Sequence, residues 1–329
     1  YTGRSPLEAA SIGIPLSQQD ITMRCNFVTL SDDEDQTLID YCADDISTDE
    51  ASVLIEFLKK ELQGNSLRFY TGTNYRHCVV STDENLLKTT FTPPHDITGK
   101  KIASYLPKGS CGDILINLMR RSYLLLKDHP INLKRKQLGK HPANAIWLWG
   151  QGIKTNLDPF SEKFGKQGSI VSAVDLVKGI GICANMHVCS VEGATGYIDT
   201  NFTGKMQAAV EELKHGQDFV YIHVEAPDEC GHRGELEQKI KSIELIDERI
   251  LCPLLDAVSE LDDYKLMILP DHPTPLSIKT HTSEPVPFMI YDSRNQKPQN
   301  EVICFDEQSA IEADVFFGAG YALMPHFLK

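Results

Sequence analysis

The chain has 329 residues, 41% of them hydrophobic and 24% charged, a balance that gives one large or two modest globular domains and needs no disulfide or metal merely to hold a core. Its formal net charge of -14 argues against nucleic acid and anionic membrane as general partners. It leaves room for a small anionic substrate, because a few local Arg residues and a metal reverse the potential inside a cleft.

In chain order, residues 1–19 read as a short turn and a helix from Pro6 to Ile14. Residues 20–140 are mixed. Within them, Thr48 to Leu62 reads as an amphipathic helix with Val53, Leu54, Phe57 and Leu58 on its apolar side and Ser47-x-x-Glu50 as its capping box. Ser110 to Leu126 reads as a second helix, while Thr92-Pro93-Pro94-His95-Asp96 and His129-Pro130 read as loops. From residue 144 the pattern changes. Strands are expected at Ala145–Trp149, Ser169–Ser172, Met186–Ser190, Asp218–Val224, Lys265–Leu269 and Val286–Tyr291. Helices are expected at Thr203–Lys214, with Thr203 as N-cap, and at Glu235–Leu261. Strands alternating with helices predict an α/β domain with a mostly parallel sheet, in which ligands sit beyond the carboxyl ends of the strands.

The nine cysteines are odd in number and form no CxxC pair, which predicts reduced, mostly buried thiols in a cytoplasmic protein. No apolar run reaches membrane-spanning length. The opening Tyr1-Thr2-Gly3-Arg4 lacks a Met and lies inside a polar turn, so the chain is expected to be truncated at its N-terminus. Trp147 and Trp149 alternate on a buried strand and are expected to pack. Gly179-Ile-Gly181 lacks the third glycine of a dinucleotide fingerprint.

The segments just beyond the later strands carry the chemistry. Strand 218–224 ends in Glu225-Ala-Pro-Asp228-Glu-Cys-Gly-His232, strand 265–269 ends in Pro270-Asp271-His272, and His281 comes next in a loop. Each pair alone reads as a turn cap or a surface pair. Together Asp228, His232, His281, Asp271 and His272 fall at one edge of the sheet. Carboxylate with imidazole is the donor mixture of Mn, Zn or Fe sites that hydrolyse or transfer groups. Five ligands exceed one three-ligand site and fall short of two complete ones.

This pattern, Asp-x-x-x-His, then Asp-His, then His ahead of Pro285-x-Pro287, resembles the metal pattern of the alkaline phosphatase superfamily. Tyr1-Thr-Gly-Arg4-Ser-Pro-Leu-Glu-Ala9, Asn144-Ala-Ile-Trp-Leu-Trp-Gly-Gln-Gly152 and Gly193-Ala-Thr-Gly-Tyr-Ile-Asp-Thr200 are similar to its archaeal-type, cofactor-independent (2,3-bisphosphoglycerate-independent) phosphoglycerate mutases. The resemblance covers essentially the whole chain. It implies an alkaline-phosphatase-like, mostly parallel sheet flanked by helices, with a smaller α+β domain inserted. Residues 1–19 and 141–329 would be the metal-binding domain and 20–140 the substrate-binding insert. It implies two divalent ions, Mn first and Zn, Co or Mg otherwise, with Asp228, His232 and His281 at one and Asp271 and His272 as half of the other. The family's nucleophilic Ser and a further Asp lie upstream of the Tyr1-Thr-Gly-Arg4 stretch, so this chain alone is expected to be inactive.

In the insert, the resemblance points to Arg24 with Asn26, Tyr75-Arg76-His77, and Asn132 with Arg135 as substrate-facing residues, Arg offering a bidentate grip on phosphate or carboxylate. His95 and Asp96, on a loop constrained by two prolines, are expected either to shuttle a proton or to cap a turn. The implied reaction is interconversion of 3- and 2-phosphoglycerate through a phosphoserine, with a small phosphorylated substrate as partner and a homo-oligomer as the expected assembly. The competing readings are a metal-dependent phosphotransferase of the proposed homoserine kinase kind and a non-catalytic metal-binding module. Neither a P-loop nor a kinase-type glycine-rich loop occurs.

Overall fold

In the computed structural model, which describes residues 3–62, 67–261, 263–295 and 304–329, the chain forms two units, Tyr1–Leu157 and Asp158–Lys329. Tyr1 and Thr2 of the opening motif lie outside the described residues.

The first unit is built around a strand that the sequence pattern does not isolate. Its elements are α1 (Ser5–Ser11), β1 (Ile21–Leu30), β2 (Leu38–Asp40), α2 (Thr48–Glu61), β3 (Arg68–Thr73), β4 (Arg76–Ser81), the two-residue strands β5 (Thr89–Thr90) and β6 (Lys108–Gly109), α3 (Gly112–Leu126), α4 (Pro130–Gln137) and β7 (Ala145–Ile153). Every residue of β1 is buried. It pairs antiparallel with β4 from Ile21 to Asn26 and with β7 from Ile21 to Val28, and its end pairs with β2. A strand flanked on both edges and covered on both faces shows no polar–apolar alternation, so β1 carries no period-2 signal.

The same pairing places β7 in the first unit. Ala145–Trp149 was expected to open a parallel-sheet domain after residue 140. It lies instead antiparallel to β1, and the chain divides at Leu157/Asp158. An apolar run of this length fits any doubly covered strand, and composition does not reveal its partner.

Helix α2 buries Ala51, Leu54, Ile55 and Leu58, the i, i+3, i+4, i+7 set of an amphipathic helix. Val53, expected on the apolar side, is 53% exposed. The Ser47 hydroxyl accepts from the Glu50 N–H at 3.3 Å, and Asp49 and Glu50 complement the helix dipole. The Glu50 carboxylate does not close a capping box on the Ser47 amide; it accepts from Arg135 at 2.7 Å.

His129-Pro130, read as a loop, starts α4. The His129 ring accepts from the Ile131 N–H at 3.3 Å, with Pro130 in the first turn. Asn132 and Arg135 are buried on α4. The Asn132 amide donates to Leu126 O and Ala143 O and accepts from Ala143 N. Arg135 Nε donates to His141 O at 2.9 Å, while its terminal nitrogens donate to Glu50 and Ala43 O. Both residues, expected at the substrate, are committed to tying α4 to its neighbouring segments.

The second unit contains α5 (Phe160–Phe164), β8 (Gly168–Val171), α6 (Asp175–Cys183), β9 (His187–Cys189), α7 (Phe202–Lys214), β10 (Phe219–Ile222), α8 (Ala226–Arg233), α9 (Leu236–Ile246), α10 (Cys252–Val258), β11 (Lys265–Ile268), β12 (Met289–Asp292), α11 (Glu307–Glu312) and α12 (Leu323–Phe327). Strands β10, β8 and β9 form a parallel sheet in that order. Among the described residues the parallel ladder stops there, and β11 and β12 pair antiparallel with each other. The chain is therefore a mixed α/β protein with a smaller parallel portion than the alternation of elements implied. Asn201, not Thr203, caps α7, accepting from Gly204 N at 2.8 Å. The expected long helix over 235–261 is present as α9 and α10 joined by a π-turn at Asp247–Leu251. Pro253 accounts for the irregularity, since it lacks an N–H and crowds the carbonyl four residues back. No described helix is long and apolar enough to cross a membrane.

Replacing Arg135 by Met is expected to lower the unfolding free energy by about 3 kcal/mol, because two buried carbonyls and Glu50 lose their donors. Urea unfolding checks this. A change below about 0.5 kcal/mol would show that these contacts contribute little to the fold.

Candidate metal centre and substrate residues

Helix α8 starts as the chain leaves β10, with Pro227 in its first turn, and its length places Asp228 and His232 four residues apart on one face. The histidine Nε2 lies 3.3 Å from Asp228 Oδ2. The loop after β11 brings His281, whose Nε2 is 3.2 Å from Asp228 Oδ1 and 3.0 Å from His232 Nε2. The Thr274 hydroxyl donates to Asp228. His232 Nδ1 faces Lys279 O at 3.0 Å and, carrying the proton, donates to it. That fixes the tautomer whose Nε2 lone pair points at Asp228 and His281.

His272 lies against the other side of His281, ring centroids 3.7 Å apart, and its Nδ1 is 4.0 Å from Asp228 Oδ1. That Nδ1 is buried and has no hydrogen-bond partner among the described residues. The other ring nitrogen is 3.1 Å from Asp271 Oδ2, on a largely exposed side chain. Asp228, His232, His281 and His272 thus converge, and Asp271 reaches the cluster only through His272. Ring nitrogens facing each other and a carboxylate at contact distance, with one further nitrogen orphaned, fit a divalent cation of the Mn or Zn kind.

Around α8 are supports that the sequence pattern did not assign. Gly196, in the Gly193–Thr200 loop, comes so close to Glu225 that a Cβ there would collide with the Glu225 carboxylate. Tyr197 donates to Glu235 beyond the other end of α8, and Arg233 lies over the Tyr197 ring, 4.2 Å from its centroid. The loop therefore touches residues flanking both ends of the ligand-bearing helix. Lys205 on α7 is fully buried and donates to His223 O at 3.1 Å. Burial pulls its pKa down to about 8, with Glu225 opposing. His223 itself faces Ser172 Oγ at 3.2 Å and is held below its usual value by burial and by Lys205. A lone Lys in the apolar–polar alternation of α7 gave no sign of these contacts.

In the first unit, Arg24 of β1 lies opposite Trp149 of β7. It is buried, its guanidinium 4.4 Å from the Trp149 ring centroid and 2.9 Å from Glu8, which also pairs with Arg4 at 2.7 Å. Trp149 donates to Asn26 at 3.2 Å and takes the edge of His95 at 5.3 Å. So Trp149 does more than fill space: it connects three of the expected site residues. Trp147 packs as expected, 1% exposed, donating to Thr92 O. Arg76 is opposite Asn26 in the β1–β4 register, 5.5 Å from the Tyr75 ring, with its Nε buried and unpartnered among the described residues.

His77 departs from expectation. It is 5% exposed, edge-on to Phe27, and accepts from Gly72 N, and burial pulls its pKa down to about 3. It is a core histidine. His95 and Asp96 are exposed neighbours 3.7 Å apart. Burial, Arg24 and Arg4 pull the His95 pKa below 6.5, and Asp96 opposes them.

A family model described as 2,3-bisphosphoglycerate-independent phosphoglycerate mutase matches residues 1–132. The protein of that name from Methanosarcina mazei is 49% identical over 311 residues, 94% of this chain and 77% of the relative. A Geobacter sulfurreducens protein named as a probable enzyme of that kind is 46% identical over 329 residues, all of this chain and 82% of the relative. Among solved structures, a Pyrococcus horikoshii protein superposes with a TM-score of 0.70 at 27% identity, covering 95% of this chain and 74% of that one. A cofactor-independent phosphoglycerate mutase from Thermoplasma acidophilum shares the fold at a TM-score of 0.59 and 21% identity, covering all of this chain and 81% of that one.

Lys205 makes the site's support pH-dependent. The unfolded chain keeps this lysine protonated to about pH 10.5 and the folded chain only to about 8, so the unfolded state binds more protons between those values. The Lys205 contribution to stability should therefore rise from pH 8 to 10.5 by up to about 3 kcal/mol. The difference in urea midpoint between the parent and Lys205→Met should move in the parent's favour across that range, which removes the contribution of the other titrating groups.

Proposed function

This chain belongs to the 2,3-bisphosphoglycerate-independent phosphoglycerate mutase family, and from that membership we infer that it interconverts 3-phosphoglycerate and 2-phosphoglycerate. The observation that carries the site assignment is the convergence of Asp228, His232 and His281 within 3.3 Å of one another, with His272 against them. Asp228, His232 and His281 would hold one divalent cation, and His272 with Asp271 would contribute to a second, Mn being the first choice for both. When bound, such ions neutralise phosphoryl charge and lower the pKa of a hydroxyl nucleophile.

The chain's own residues do the positioning. The Asp228 carboxylate, oriented by Thr274, and His232 Nε2, oriented by Lys279 O, present fixed lone pairs to one point. In the first unit we assign the grip on the anionic substrate to Arg24 and Arg76, with Asn26 beside them and Trp149 holding Arg24 in place. His95, neutral at pH 7, is assigned the movement of a proton between the 2- and 3-hydroxyls. Arg135 and Asn132 are left out because their polar atoms are engaged inside the fold, and His77 because its ring is buried in the core against Phe27. The architecture that goes with this reading is an alkaline-phosphatase-like body into which residues 20–140 are inserted, β7 joining the inserted sheet through its pairing with β1. Homoserine phosphorylation and a purely structural metal module are not favoured, since the relatives are named as mutases.

Two measurements test the assignment. In the full-length enzyme, His232→Ala and His281→Ala should each weaken Mn binding at least tenfold and remove mutase turnover measured without ATP or bisphosphoglycerate. Unchanged Mn affinity sinks the metal assignment, and ATP-dependent phosphohomoserine synthesis with no mutase turnover sinks the substrate assignment. By NMR, the His95 midpoint should lie below 6.5 and fall further in Asp96→Asn, since Asp96 is what pulls it up.

A further inference from the structure

A second cluster of metal-type donors lies in the Asp158–Lys329 unit, apart from the Asp228 cluster in sequence and composition. His187 and Cys189 are alternate residues of β9, so their side chains leave the same face of the strand. Glu212 comes from α7, which packs against β8. One donor atom from each residue lies within 4.8 Å of the other two. His187 Nδ1 is 2.8 Å from Glu212 Oε2. The Ser169 hydroxyl of β8 donates to the same carboxylate oxygen and so fixes its direction.

We propose that His187, Cys189 and Glu212 form a binding site for a soft divalent cation of the Zn class, distinct from the phosphate-site metals. The donor chemistry points to this class. A thiolate, an imidazole and a carboxylate together suit Zn²⁺ or Co²⁺ and offer little to Mg²⁺ or Ca²⁺. The geometry suits it too. Ligands at about 2.0–2.3 Å from a tetrahedral ion stand roughly 3.4–3.8 Å apart, so small rotamer changes from the present spacing would close the shell. Two of the three ligands sit on a strand and the third on a thirteen-residue helix backed by a hydroxyl, so the set is held by regular structure. Binding exchanges a proton for the metal: the Cys189 S–H bond breaks, the proton goes to solvent, and the sulfur–metal bond forms. His187 is more than half exposed, which leaves the fourth position to water.

Cobalt gives the decisive readout, because a thiolate bound to Co²⁺ produces an intense near-ultraviolet charge-transfer band, whereas the Asp228 cluster contains no sulfur. Titrating metal-stripped full-length protein with Co²⁺ should produce that band, and excess Zn²⁺ should remove it. The Cys189→Ser variant should lose the band, and His187→Ala should weaken Co²⁺ binding at least tenfold. His187→Ala changes an exposed ring, so it tests the site even if Cys189→Ser fails to fold. In Asp228→Asn the band should remain, which keeps this test separate from the phosphate-site assignment. Absence of the band in the parent, its survival in Cys189→Ser, or unaltered Co²⁺ affinity in His187→Ala would overturn the proposal.

Discussion

The Asp228 cluster depends on one short helix. Asp228 and His232 converge only while residues 226–233 stay helical, because a four-residue spacing places two side chains on one face in a helix and scatters them otherwise. Eight residues cannot sustain a helix by propensity. The constraint is supplied from outside: Pro227 in the first turn, Gly234 in the left-handed conformation after the last, and the Gly193–Thr200 loop touching Glu225 on one side and Arg233 and Glu235 on the other. A side chain at position 196 would have to displace the Glu225 carboxylate from its present place.

Buried cations repeat this logic. Lys205 is a costly residue to enclose, and the chain reduces the cost by letting its pKa drift towards neutrality beside Glu225. Arg135 cannot be neutralised and is satisfied by carbonyls and Glu50 instead. Arg24 stands between these cases. It is desolvated, and it lies against one carboxylate and an aromatic face. A guanidinium with donors to spare beside a rigid indole is the arrangement that binds an anion, whereas a fully committed one, like Arg135, belongs to the fold.

How much the sequence disclosed depends on the range of the interactions involved. The α2 helix with Leu54 and Leu58 on its buried face, the Asp228/His232 spacing and the Asp271-His272 ending of a strand are local patterns, and they stood where expected, whereas Val53 did not. His281 was grouped with them only by its place in the loop after the same strand, since nothing in a loop histidine announces its partners. β1 stayed hidden because burial on both faces erases alternation. Arg135 was expected at the substrate because a lone Arg fork suits an anion and sequence does not show which partners already occupy it. Once Pro130 starts a helix, however, Asn132 and Arg135 lie three apart and turn inward together. The Gly196, Tyr197 and Lys205 supports depend on contacts from 18 to 38 residues away in sequence, and no window of local pattern spans them.

The chain's charge of -14 would seem to repel a phosphorylated carboxylate. At physiological ionic strength, however, a charge is felt over about 8 Å, so the distant surface carboxylates contribute steering and little more. What an anion meets is local. In the first unit Arg4, Arg24 and Arg76 gather near His95 and Trp149, with the Glu8 carboxylate set against Arg4 and Arg24. In the second, the -1 of Asp228 lies among three histidines and is outweighed by any divalent ion bound there. The acidic surface and the cation-rich interior therefore act over different distances.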